Sequence, residues 1–403
     1  MQKYNYVITS TGYKTTDKLT SKDFTFNRSA DHTRVTFTQK SLVNNTKNFF
    51  QIDLELDDLP LILSKEKKVY SLDMQTFTPK FVQVTELTED HWLYSPWIER
   101  EVVAPKQFID MSRYVDNYYD SSFLYLFNNE ILEIADELKI PAKAVKELFI
   151  REAAEFEEYL NPLRLYIYDK YGVLENTSDP ETSFINFKKY VLQNHVFKMA
   201  RYVDIDFNFI SFVIASLTRS ATNQTSHNKN NKYVIDYFFN KEDKLLKQSV
   251  IAFLNKVNVK YDIDGDKISV KNKPFYMFVC NGLLTDMDFL LRLDDEYYNY
   301  LTTNLFANNA TVCNVSLTTA LQIKHTFLTA SRVVSIRQNA LNTYDVTEIL
   351  DDFKKLDSTL ITTSSGYYSK IKYVNNSLGI SEDYTYFKTE NTEALFTNCL
   401  VRL

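Results

Sequence analysis

The side chains of this 403-residue chain that could do chemistry fall into four groups. Asp204, Asp206, Asp294 and Asp295 are carboxylates that could share a divalent cation with Ser216 and Asn308. Acids of this kind in loops are ordinarily just solvated, and Ser and Asn bind Mg²⁺ poorly beside a carboxylate. Ser64 and Lys67 offer a hydroxyl and an ammonium that could activate an amide, or they close a surface strand. Lys143 and Lys146 sit in a stretch with helix-turn-helix spacing and would face a DNA backbone or groove. Lys229, Lys232, Lys260, Lys267, Lys271, Lys273, Arg332 and Arg337 lie on or beside expected strands. They would either track phosphate or belong to a normally charged sheet, since Asp262, Asp264 and Asp266 interleave with them. The five histidines are scattered without ligand spacing, and no metal set is expected.

The elements that must carry these residues change character along the chain. Val35–Thr38 and Phe50–Leu56 alternate apolar and polar residues at period two, as half-buried strands do. The spacing predicts helices over Asn129–Leu138, Ala142–Leu160 and Glu181–Arg201, with Pro141 at the first turn of the second. In the first two, Ala135 is expected at a tight crossing, Ile140 in the turn, and Val145 and Leu148 on the core side. The acidic continuation Glu152, Glu155, Glu157 and Glu158 would repel phosphate. An internal echo follows, each copy reading helix, strand, helix, strand. The first copy runs from Phe209–Leu217 through Tyr233–Phe239, Lys241–Val257, Val259–Ile263 and Lys267–Val270. The second runs from Tyr297–Asn308 through Thr311–Leu317, Thr318–Thr329 and Arg332–Arg337. Strands return at Tyr367–Val374, Tyr384–Lys388 and Leu395–Val401.

Composition sets the bounds. A hydrophobic fraction of 44% with 29 Phe and 28 Tyr fills real cores and excludes wholesale disorder. With only 6 Gly, the Asn pairs Asn44-Asn45, Asn230-Asn231, Asn308-Asn309 and Asn375-Asn376 are expected to serve tight turns. A net charge of −6 excludes a chain that is basic throughout, while leaving room for a local basic face. Three distant cysteines (Cys280, Cys313 and Cys399) suit a reducing compartment, with neither a disulfide frame nor a zinc site. Nothing resembles a signal peptide, and no apolar run reaches the roughly 20 residues of a bilayer span.

Both flanks resemble the Hint domain, the β-rich horseshoe of inteins and hedgehog proteins. Tyr6-Val-Ile-Thr-Ser-Thr-Gly-Tyr-Lys14 is similar to the family's opening block and Leu395-Phe-Thr-Asn-Cys-Leu-Val401 to its closing one. The resemblance places the family's Cys or Ser nucleophile at Met1 or Gln2, neither of which can attack a carbonyl. Its Thr-x-x-His aligns with Ser64-Lys-Glu-Lys67, so Lys67 stands where an imidazole shuttles protons. Its final His-Asn falls on Arg402 and Leu403, after which the sequence offers nothing to splice.

The middle resembles a LAGLIDADG homing endonuclease, in which two related helices pack through small residues and each ends in an acid that holds Mg²⁺. Phe209-Ile-Ser-Phe-Val-Ile-Ala-Ser-Leu217 is similar to the first helix, with Ser211 and Ala215 as the small residues and Ser216 in the acid's place. Leu301-Thr-Thr-Asn-Leu-Phe-Ala-Asn-Asn309 is similar to the second, with Asn308 in that place. Without paired acids the metal-assisted attack on a phosphodiester loses its metal.

These readings together imply an α+β chain in four segments: Hint-like β structure over 1–104, a helical insert over 105–204, a pseudo-symmetric LAGLIDADG-like αβ pair over 205–355, and the rest of the Hint-like horseshoe over 356–403. The expected function is that of a catalytically inactive intein and homing-endonuclease derivative, a pseudoenzyme kept as a binding or structural component. The Asn, Lys, Tyr and Phe bias matches AT-rich coding such as many phages have, so a protein of a phage or mobile-element assembly is the expected partner. A non-cleaving protein on double-stranded DNA is the alternative, and an active homing endonuclease a third reading. No cofactor is expected, with Mg²⁺ entering only if nuclease activity survives, and no membrane. The host cytoplasm or a virion is the expected location.

Overall fold

The computed structural model describes residues 5–9, 12–15, 20, 24–28, 35–39, 41–47, 49–65, 67–97, 100, 104–114, 122–127, 129–151, 153–172, 179–223, 233–285, 287–307, 311–349, 358–375, 382–388 and 400–402. The fold is mixed α and β, and the chain forms two compact units. Unit 1 takes Met1–Lys106 with Thr285–Leu403, and unit 2 takes Gln107–Leu284. The 205–355 pair expected from sequence is thus shared out: its first copy lies with the helical insert, its second with the two flanks.

The first stretch of unit 1 is all strand: β1 (Asn5–Thr9), β2 (Gly12–Thr15), β3 (Phe24–Arg28), β4 (Val35–Gln39) and β5 (Ser41–Lys47). It continues with β6 (Phe49–Leu54), β7 (Leu61–Ser64), β8 (Lys68–Asp73), β9 (Thr78–Gln83) and β10 (His91–Pro96).

Unit 2 opens with β11 (Phe108–Asp110) and β12 (Phe123–Phe127), then α1 (Asn129–Leu138), α2 (Ala142–Ile150), α3 (Glu157–Tyr171) and α4 (Pro180–Asn194). Strands β13 (Val196–Ala200) and β14 (Tyr202–Asp204) return beside β12 and β11. The helix expected from Ala142 to Leu160 is broken, because Arg151 is extended and its N–H closes the last turn on the Glu147 carbonyl. The one expected to reach Arg201 stops at Asn194, because the alternating run Val196–Ala200 pairs with β12 instead. Phe127, Ile131, Ile134, Val145, Leu148, Phe149, Leu163 and Ile167 form the helical core.

The first repeat copy completes unit 2: α5 (Phe207–Thr218), β15 (Ser220–Asn223), β16 (Val234–Phe238), α6 (Lys244–Lys256), β17 (Asp262–Asp264), β18 (Lys267–Lys271) and the one-turn α7 (Lys273–Tyr276), which runs on as a π-helix over Met277–Leu283. α5 is buried on every side from Phe209 to Leu217, and Phe212 stacks on Phe253 of α6 at 4.3 Å.

The second copy, in unit 1, has α8 (Asp295–Asn304), β19 (Thr311–Val315), α9 (Leu317–Thr329), β20 (Val334–Gln338) and β21 (Tyr344–Glu348). Three strands of each copy share an order, β16-β18-β17 in one and β19-β21-β20 in the other, and the first copy adds β15 at its edge. In both, the strand before the second helix pairs with the later arm of the hairpin after it. In both, an Asp side chain caps the leading helix: Asp206 accepts from the Phe209 N–H, and Asp294 from the Glu296 N–H.

Unit 1 ends with β22 (Leu360–Thr363), β23 (Gly366–Asn375), β24 (Glu382–Lys388) and β25 (Leu400–Arg402). The two ends of the chain interleave. β25 pairs with β1 (Tyr6↔Val401), β24 pairs with β5 (Val43↔Tyr386), and β23 lies between β6 and β10. Gly366 is required where β23 meets β10, since a Cβ there would sit 2.3 Å from the Ser95 carbonyl oxygen. A shared core joins Leu56, Trp92, Tyr94 and Tyr367 of the flanks to Leu328 and Val333 of the second copy.

Candidate functional site

At the Hint-like positions, Gln2 and Leu403 lie outside the described residues, as does the side chain of Ser64, whose backbone ends β7 opposite Phe49. Arg402 takes its place in β25 opposite Asn5. Lys67 is not the surface residue expected of a strand end. It is 9% exposed, and its carbonyl accepts from the Val84 N–H at 2.8 Å.

The position matched to the nuclease acid is better defined. α5 carries Ser216 in its last full turn, where the buried Ser216 Oγ lies 3.2 Å from Tyr237 Oη on β16. Burial pushes the Tyr237 phenol well above its ordinary range, so it is a neutral hydrogen-bonding group at any moderate pH. The Ser216 carbonyl accepts from Ser220 Oγ at 2.6 Å. Arg219, at the end of the helix, is held at 3.0 Å by the buried Asp243, whose carboxylate also accepts from the Asn240 N–H. Ser216 therefore joins a neutral hydrogen-bond pair inside the core. Asn308 lies outside the described residues.

The carboxylates that could have replaced these acids stand elsewhere. Asp206 caps the opposite end of α5, about ten residues and roughly 15 Å of helical rise from Ser216. Lys256 reaches both Asp206 (2.9 Å) and Asp204 (3.3 Å). Partial burial disfavours its charge, but the two carboxylates outweigh this and hold the ammonium above its ordinary value. Asp294 caps α8, and Asp295 pairs with Arg100 at 2.5 Å. Among the described residues no group of three or more His, Cys, Asp or Glu side chains could hold a metal ion.

The strand cations are mostly neutralised by neighbours. On the face of the first copy's sheet turned away from its helices, Lys267 bonds Asp236 at 3.0 Å and Lys271 bonds Asp262 at 3.1 Å. Asp264 lies opposite Lys267 in the same row. Three carboxylates thus face two ammonium groups, a poor track for phosphate. In the second copy Arg332 bonds Glu348 at 3.1 Å, and the exposed Arg337 stands opposite Asp345. Lys260 is exposed beyond α6, while Lys229 and Lys232 lie outside the described residues.

The residues read as a helix-turn-helix lie in the α1–α2 hairpin. Ala135, Val145 and Leu148 are buried, Ile140 lies in the turn, Lys143 is exposed and Lys146 half-buried. A feature without any local sequence signal is the polar interior of α9. Lys324 forms a buried ion pair with Asp57, and the Asp57 Oδ1 accepts from the Ile336 N–H at 2.9 Å. Beside it on α9, burial depresses His325 to about 4, so the imidazole is neutral in the fold.

No protein-family model matches the chain, and no curated protein is detectably similar to it.

Proposed function

We propose that this chain is a non-catalytic relative of Hint and LAGLIDADG proteins that serves as a binding or structural component, with a phage or mobile-element assembly as its setting. One observation carries the reading. Where the resemblance calls for a metal-binding carboxylate, Ser216 is buried against Tyr237, the acid at that end of the helix, Asp243, is held by Arg219 and the Asn240 N–H, and Asp206 caps the far end of the same helix. The interleaved β flanks and the twice-used strand order support the architectural half of the reading. The intact apolar cores of both units support a fold retained for what it holds. A second reading, a DNA-binding protein that does not cut, draws support from the α1–α2 hairpin.

Sedimentation of the protein from its native source, followed by chemical crosslinking and mass spectrometry, tests the proposal. The protein is expected to co-sediment with a larger particle or enzyme assembly and crosslink to one defined neighbour. Sedimentation as a free chain in every fraction would count against it.

A further inference from the structure

We propose that the β8–β9 hairpin of unit 1 docks on a partner protein by inserting Phe77 into an apolar pocket with a cationic rim. The inference rests on the binding-component reading above and names the contact that carries it.

Phe77 is a residue its own backbone disfavours. Between the paired residues Asp73 and Thr78, the turn 74–77 ends on Phe77 at φ +52°, in the left-handed region. Gly and Asn enter that region readily, whereas a bulky side chain crowds its own backbone there. The β20–β21 hairpin meets the same demand with Asn342 at φ +55°. Phe77 is also 67% exposed, so its ring does not offset the backbone strain by burial within the fold. Strain of this kind persists only where the surroundings over-determine it, and it concentrates at binding sites. Here the Asp73 Oδ1 accepts from the Gln75 N–H at 2.9 Å and the Thr76 N–H at 3.4 Å, and its Oδ2 from Lys80 Nζ at 3.1 Å. The loop before β10 clamps the turn from beside it. The Met74 N–H donates to the Asp90 carbonyl at 3.0 Å, and Gln75 Nε2 donates to the Asp90 carboxylate at 2.9 Å. The ring is thus presented on a fixed support, without the ordering cost that weakens a loose loop on binding.

The strand edge and the charge select the occupant. β9 lies at the edge of its sheet, but Pro79 lacks an N–H and Lys80 is charged, so it is a poor template for an added strand. Contact then falls to the side chain at the tip. Lys80 and Asp73 cancel, while Asp90 lies against the turn with the exposed Glu89 next to it, leaving the tip acidic. Those carboxylates repel the phosphate of a nucleic acid or of an anionic bilayer. Two copies meeting tip to tip across a two-fold axis would bring the same carboxylates face to face. A protein pocket suits the tip, apolar where it receives the ring and basic where it faces Glu89 and Asp90.

Variants produced in the native source and followed by sedimentation test this: F77G, E89K and, at the tip of the β20–β21 hairpin, L341A. Leu341 is 81% exposed but adjoins Asn342, which tolerates its left-handed backbone. F77G is expected to lower the ratio of assembly-bound to free chain at least about tenfold. Its urea midpoint should nonetheless equal or exceed that of wild type, since Gly relieves the left-handed position. E89K should lower the same ratio at least about threefold, and L341A should leave it unchanged. p-Benzoylphenylalanine at position 77 should crosslink to one protein other than this chain. A lowered F77G midpoint would make the residue structural and overturn the inference. Crosslinking of position 77 to a second copy, or Phe77-dependent flotation on phosphatidylcholine vesicles, would overturn it too. Wild-type chain free in every fraction would remove the binding-component reading together with this contact, whereas F77G retained in the assembly would remove the contact alone.

Discussion

Asp57 and Lys324 are joined across 267 positions of sequence, and removing one of them should destabilise unit 1 severely. Their side chains are only 11% and 8% exposed. Asp57→Ala would leave the Lys324 ammonium buried without a counter-charge, at a cost of roughly 3–5 kcal/mol. It would also strip the Ile336 N–H of its acceptor, adding about 1 kcal/mol. D57N/K324M removes both charges and keeps an oxygen for Ile336, so its cost should fall to about 1 kcal/mol or less. The assay is urea denaturation followed by tryptophan fluorescence, because both tryptophans, Trp92 and Trp97, belong to unit 1. At roughly 2–3 kcal/mol per molar urea, D57A should lower the midpoint by about 1.5–3 M. A D57A midpoint indistinguishable from wild type, or a double variant as damaged as the single, would refute the assignment of this pair as a buried ionic latch.

Three further outcomes follow from the same structure. His325 is held down to about 4 from an ordinary 6.5, so its burial contributes stability above pH 6.5 that is lost as pH falls towards 4. The tryptophan-detected midpoint should therefore drop across that window by an amount on the order of 3 kcal/mol, and H325Q should flatten the drop. Gly366→Ala should cost more than about 2 kcal/mol by the same assay, since its Cβ would press on the backbone at Ser95 and Pro96. Lys139→Gly should raise the thermal stability of unit 2 by about 1 kcal/mol, read by circular dichroism, because it relieves a non-Gly residue of φ +54°.

The sequence made the repeat unit legible because each copy changes period within a few residues. Lys241–Val257 and Thr318–Thr329 carry helical spacing, while Val234–Phe238 and Val334–Gln338 carry strand-forming residues. The hairpin at 135–148 was legible for the same reason, since small and apolar residues at fixed offsets leave few alternatives. Long-range partners were not. Nothing near Lys324 announces Asp57, and nothing near Lys67 announces its burial. The break at Arg151 was hidden because the residues beyond it, Glu155 to Leu160, are themselves good helix formers. The lysines on β18 read either as a phosphate track or as part of a charged sheet, and only the register added Asp236 to the Asp262 that the sequence already offered. Ser216 was singled out only by the resemblance, and its tyrosine partner depended on strand pairing that no local pattern encodes.

Incubation of supercoiled plasmid carrying the native flanking DNA with the purified chain in Mg²⁺ or Mn²⁺ tests most directly the proposal that this chain has no nuclease chemistry. The plasmid should remain supercoiled at every protein concentration. Linear or nicked product that disappears in Asp206→Asn or Asp294→Asn would contradict it, since those carboxylates would then be ligands and not helix caps.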